Sequence, residues 1–311
     1  GVYFSEKADA FANSGKITAG ALTGDATGSG AYLYAYDVYG AYFYYGTDSF
    51  TNTGEIGSIA AVGNVNNNYG YAQAHDVYGA YLYSAAAGFT NSGTMSASAT
   101  AGNASGDNSR IYAYYAYALY VDDVLGSFNN SGSMLASALA GDATGAASVS
   151  EAYYVYGLYF DYGDYGVGTF DNSGTITARA SAGDAAGADS DAQAYDVYGV
   201  YSYYGAGSFN NSGTISASAA VGSAIGDSSD AYADYVYGAY FYDDVVNVFN
   251  NSGTISASAI AGDAVGANSY AEAYDVYGAY FYYGAGSFTN SGQISATAAA
   301  GHASGESSTV V

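Results

Sequence analysis

The sequence predicts an all-β chain, a β-solenoid with about one wide coil per 39-residue repeat. Three observations carry this. The word F-x-N-[ST]-G recurs at nearly constant spacing. The segments between recurrences alternate apolar and polar residues with period two. No proline and no helical apolar period interrupts them.

The repeats begin at Phe11, Phe50, Phe89, Phe128, Phe170, Phe209, Phe249 and Phe288, so residues 1–311 read as one solenoid of about eight units. The spacings are 39, 39, 39, 42, 39, 40 and 39. The extra residues fall within 161–169 and 242–248, just before the next Phe, where a turn is expected to absorb them. Some columns never change. Asn stands at Asn13, Asn52, Asn91, Asn130, Asn172, Asn211, Asn251 and Asn290. Gly follows two residues later, from Gly15 to Gly292, and Ile or Met two beyond that. The Ala259 column is alanine in all eight units.

Each element follows from this pattern. TISASAIA (254–261) alternates strictly, so Ile255, Ala257, Ala259 and Ala261 share one face. YAEAYDVYGAYFYY (270–283) reads as a longer strand with Ala271 and Ala273 inward. Beyond Asp275 both parities are apolar, which predicts a bend there. GDAVGANS (262–269) and YGAGS (283–287) read as turns. One such unit cannot bury its own apolar face. Stacking units about 4.8 Å apart pairs every strand with its copies. The invariant Asn is then expected to form an amide ladder at a corner, and the Gly after it to take positive φ. The two halves of the unit differ, so one coil per repeat keeps like residues stacked, whereas two coils would alternate unlike ones.

Composition narrows function. There are 40 Tyr, 44 Gly, no Pro and no Cys, and the net charge is −24 with only four basic residues. A polyanion repels phosphate backbones, so nucleic-acid partners are excluded. Disulfide and thiol chemistry are absent. No apolar run reaches the length of a membrane helix. His75 and His302 each replace another residue of a repeating column, and no catalytic constellation stands out, so an enzyme is not expected. Asn-Asn-Ser at 129–131, 210–212 and 250–252 fits a glycosylation acceptor, but the repeat itself accounts for it.

NSGTISA, with VYGAY or VYGVY upstream of the next NSGTI, resembles repeats in the passenger regions of bacterial autotransporters and related surface adhesins. The likeness runs from Phe11 to about Gly305. It implies a right-handed parallel β-helix on an extracellular or cell-surface protein of prokaryotic origin.

Two columns invite functional readings. The GDA turn carries Asp25, Asp142, Asp184 and Asp263, with Asn, Ser or His in the other units. Stacked carboxylates repel, so calcium is a candidate ligand there. The Tyr280 column contains Tyr3, Tyr42, Tyr81, Tyr120, Tyr159, Tyr201, Tyr240 and Tyr280. Tyrosines on both parities exceed what a core can hold, so some must form an exposed aromatic ladder. Gly1 falls in the Gly278 column and Val311 in the Glu272 column, leaving five positions between them, which fits either a stretch of a longer array or a subunit whose last coil is completed by a neighbour's first residues. The resulting expectation is a structural protein that stacks head to tail into a surface filament. The alternative is a monomeric adhesin rod that binds surfaces or glycans.

Overall fold

The computed structural model describes residues 1–83, 86–123, 125–161, 167–243 and 246–311. The described residues contain no helix. Each repeat folds into one coil of a parallel β-solenoid. In the unit around Phe170 the chain runs through a phenylalanine strand (Val167–Asn172) and an alanine strand (Thr175–Ala182). It continues through a two-residue strand (Ala185–Ala186) and a tyrosine strand (Asp191–Ser202). Each pairs in parallel and in register with its equivalents one coil away: Phe170 with Phe128 and Phe209, Ile176 with Met134 and Ile215. Among the described residues these strands form four sheets of eleven, eight, eight and seven strands. The insertions within 161–169 and 242–248 centre on 162–166 and 244–245, which lie outside the described residues.

The core is thin and made of small side chains. Ile176, Ala178, Ala180 and Ala182 of the alanine strand point inward. Opposite them lie Ala192, Ala194, Val197 and Val200 of the tyrosine strand. The Phe column supplies the bulk at one end, with rings of successive coils such as Phe170 and Phe209 stacked at 4.3 Å. Phe43, Phe160 and Phe241 meet that column edge-on. The tyrosine strand comes so close to the alanine strand that a Cβ on Gly238 would strike Ile255.

The Asn column sits at the corner between the phenylalanine and alanine strands. Seven Nδ2–H···Oδ1 bonds of 2.7–2.8 Å link all eight residues in one line, each amide donating to the next coil. Each Nδ2 in coils one to seven also reaches two backbone carbonyl oxygens, for Asn172 those of Gly174 and Thr214. The amides are therefore both buried and satisfied.

Two expectations need correction. The Gly after this Asn does not take positive φ; among glycines that conformation falls at Gly106, Gly145, Gly187, Gly226, Gly266 and Gly305 in the turn after the short strand, and at Gly30, Gly46 and Gly284. The corner Gly is needed for close approach instead. A Cβ on Gly174 would run into the carbonyl oxygen of Gly132 below it, whereas one on Gly15 in the first coil meets nothing. The GDAVGANS turn also contains a strand, Ala264–Val265, which pairs with Ala224–Ile225 and Ala303–Ser304. Two residues are too few to show a period.

The bend expected at Asp275 is a left-handed residue. Asp37, Asp76, Tyr115, Tyr154, Asp196, Tyr235 and Asp275 all have φ between 48° and 59°. A bulky residue there is strained by about 1 kcal/mol or more. The strain has a structural effect: Asp234 and Tyr235 both face outward, and Val236 turns inward again.

Replacing Asn172 with Ala removes one rung and strands its neighbours' amides in the interior. The unfolding free energy should fall by about 2–4 kcal/mol. Asn290→Ala, on the open last coil, should cost less than about 1 kcal/mol. Denaturant titration of both variants checks the difference.

Candidate functional site

The outer face of the tyrosine strands is the most distinctive surface. Tyrosine is absent from the main core cluster. The predicted Tyr280 column lies on this outer face. Its rings, from Tyr3 to Tyr280, stack on one another at 4.7–5.2 Å with interplanar angles of 4–17°. A second column, Tyr39, Tyr78, Tyr117, Tyr156, Tyr198, Tyr237 and Tyr277, runs beside it with stacking distances of 4.9–5.4 Å. Within each coil the two rings meet edge to face at 4.9–5.4 Å. The result is a herringbone of tyrosine along the full length of the solenoid.

Sequence reading singled out only one of these columns. The signal for the other was Tyr at the second position of VYGAY, three residues before the first. Three residues is the wrong parity for a regular strand. A break in the ladder at the intervening glycine restores it: Gly199 and Gly238 fall outside the ladder register while Tyr198 and Tyr201 both pair.

Burial of the second column is deep for an outer face. Tyr117, Tyr156, Tyr198 and Tyr237 are each less than a tenth exposed and form their own cluster. Ring faces are covered by the coils above and below, so solvent meets ring edges and hydroxyls. Burial pushes the phenol of Tyr39 up to about 12, and those of Tyr71 and Tyr240 likewise. In the middle coils burial drives Tyr117 and Tyr156 well above the usual phenol value. The Tyr120 hydroxyl donates to Asp161 Oδ2 at 2.6 Å.

No family model, curated protein or solved structure matches this chain. Its chemistry therefore has to be read from the surface itself.

Carboxylates set into the aromatic face are the second feature. Burial raises Glu151 to about 7, opposed by a hydrogen bond from Tyr153 and reinforced by the charge of Asp191. Burial likewise raises Asp234 to about 7 and Asp191 and Asp196 to about 6. Sequence reading did not single these residues out as a group, since they occupy different columns among tyrosines.

The GDA aspartates do not gather. Only Asp142 and Asp184 stand on consecutive coils; Asn64, Asn103 and Ser223 separate the others. Each spends one oxygen on the backbone N–H of the following coil. Asp25 accepts from Asn64 at 2.7 Å, Asp142 from Asp184 at 3.1 Å, Asp184 from Ser223 at 2.7 Å and Asp263 from His302 at 2.7 Å. Asn64, Asn103 and Ser223 make the same bond, which explains why the column accepts any short oxygen acceptor. Among the described residues no group of three or more acidic or histidine side chains is placed to hold a metal ion. The acceptor-pattern asparagines Asn210 and Asn250 are also engaged, donating to Asp171 and Asn210 on the coil before.

The raised carboxylates set a sign for pH dependence. Glu151 binds its proton more tightly folded, at about 7, than at its ordinary value of 4.5. Its contribution to stability is complete below 4.5 and is lost as pH rises through about 7. Glu151→Gln should flatten that part of the stability–pH profile by roughly 1–3 kcal/mol. Thermal or urea unfolding across this range checks it.

Proposed function

We propose that the chain is a structural protein, a length of β-solenoid shaft that extends by stacking further coils of its own kind into a filament outside the cell or on its surface. One observation carries this reading: every coil edge is complementary to the next through the same Asn, Phe, Ile and Tyr columns. Each added coil buries the rings of the coil below it, as Phe249 is fully buried within the stack, and an in-register strand edge with apolar residues beside it favours addition of a further coil. The high negative charge keeps separate shafts soluble while they add end to end. The repeat words and the cysteine-free, Gly- and Ser-rich composition support a surface location.

Binding of glycans by a single adhesin-like rod receives less support. Sugars dock on open aromatic faces, and here the two main columns cover their own ring faces.

Gly15→Ala tests the stacking directly. A Cβ at Gly15 meets nothing within the chain, but at Gly54 and Gly93 it would meet the carbonyl oxygen of the coil below. The variant should fold with an unchanged melting temperature and fail to form fibres. The unmodified chain should give fibres with an axial repeat near about 4.8 Å by electron microscopy and diffraction. Monodisperse monomers of the unmodified chain at high concentration would overturn the filament reading. Fibres of Gly15→Ala equal to those of the parent would overturn coil-on-coil stacking as their basis.

A further inference from the structure

The corner that follows the tyrosine strand holds another aromatic column. Its positions are Tyr44, Tyr83, Asp122, Asp161, Tyr203, Tyr242 and Tyr282, set one above another by backbone bonds such as Tyr83 N–H to the Phe43 carbonyl. Tyr44 and Tyr83 stack at 5.2 Å and 2°. Tyr203 and Tyr242 lie 5.2 Å apart at 47°, and Tyr242 and Tyr282 lie 5.3 Å apart at 34°. Tyr44, Tyr83, Tyr242 and Tyr282 are all exposed, Tyr282 by 56%. These tyrosines differ from the herringbone in two ways. Solvent reaches them, and they lie beyond the strand end, where their edge-to-face neighbours are the adjacent turn tyrosines Tyr45, Tyr204 and Tyr283.

We propose that this corner is a site of oxidative dityrosine formation, at which successive coils become covalently stapled through Tyr44–Tyr83 and through Tyr242 with Tyr203 or Tyr282. The oxidant class is hydrogen peroxide acting through a haem peroxidase. Each phenol gives up one electron and one proton. The two electrons reduce one peroxide to two waters, which also take up the two protons. The two phenoxyl radicals join by a carbon–carbon bond between ring positions ortho to oxygen. The two displaced ring hydrogens move to the oxygens and restore both phenols. Two tyrosines and one peroxide thus yield one dityrosine and two waters.

Geometry selects these pairs. Coupling requires two phenoxyl rings in contact and free to turn until their ortho carbons meet. Parallel, in-register strands hold equivalent side chains about 5 Å apart at every coil. Tyr117 and Tyr156 meet the distance condition but are buried and locked by Tyr120 and Tyr159. At the corner the distance condition holds, and the edge-to-face neighbours Tyr45 and Tyr283 are themselves more than half exposed, which leaves Tyr44 and Tyr282 room to turn. Asp122 and Asp161 interrupt the column in the middle coils, so staples are confined to the first coils and the last ones. The inference concerns bonds within one chain and is independent of filament formation.

The test uses the full chain at low concentration with horseradish peroxidase and limiting hydrogen peroxide. The monomer-sized fraction is digested with pepsin and its cross-linked peptides are sequenced by mass spectrometry. Tyr44–Tyr83 and a Tyr242 link should be the dominant products, each lighter by two hydrogens, with dityrosine fluorescence in the monomer fraction. Tyr83→Phe should abolish the first and Tyr242→Phe the second, while circular dichroism stays unchanged because phenylalanine keeps the ring stack. Dominant linkage at Tyr34–Tyr71 or Tyr235–Tyr274, linkage only between chains, or no linkage would overturn the assignment.

Discussion

Strict parallel register is the constraint on which the rest depends. When every strand pairs with its copy one coil away, each side chain meets its own equivalents above and below. A column is then either a self-complementary stack or a source of repulsion. The Asn column satisfies this best. An amide carries both a donor and an acceptor, so a line of them closes every bond but the last. Rings stack as well, which suits Phe to the end of the coil and Tyr to the outer face of the sheet. Carboxylates stack on themselves only at a cost. At about 5 Å two unit charges repel by nearly 1 kcal/mol even in water, and more in a half-buried site. A chain with net charge −24 must distribute its acids around this rule. It does so by giving one oxygen of each turn Asp to a backbone N–H and by interposing Asn, Ser or Tyr between many acids of one column; where Asp191 and Asp230 do pair in register, burial and the charge of Asp230 raise Asp191 to about 6.

The thin core explains the thick exterior. Alanine columns and glycines bring the alanine and tyrosine strands close enough that even a methyl on Gly238 has no room. Tyrosine cannot enter such a core. The left-handed residue at the Asp275 column and the ladder break at Gly278 shift the strand's parity twice, and both shifts turn tyrosines outward. The outward rings then pack on each other. The solenoid therefore has a second hydrophobic layer outside its sheet, with hydroxyls at its wet edge. The strained backbone is what makes this layer possible.

The fold was legible because repetition turns one sequence into eight aligned ones. Period, coil count and the inward faces of TISASAIA all follow from columns that admit a single residue type. The role of the corner glycine was not legible, since an invariant Gly looks the same whether it needs positive φ or has a carbonyl pressed against it. The Ala264–Val265 strand was too short to carry a period. The second tyrosine column was hidden by a parity that only the backbone irregularities correct. The half-buried acids were invisible for the opposite reason: Glu151 sits in a column that mixes Tyr, Gln and Glu, and only three dimensions show that it is buried and hydrogen-bonded by Tyr153 and Tyr114.

These acids also bear on what the aromatic face can do. A carboxylate enclosed by phenols is held near neutrality by burial, while the phenols around it are driven to higher values by the same burial. Near neutral pH the face therefore combines protonated phenols with carboxylates of graded acidity: burial holds Glu151 and Asp234 at about 7, and Asp191 and Asp196 beside them at about 6. Rising pH through this range adds charge to the aromatic layer while its buried phenols, such as Tyr39 at about 12, keep their protons.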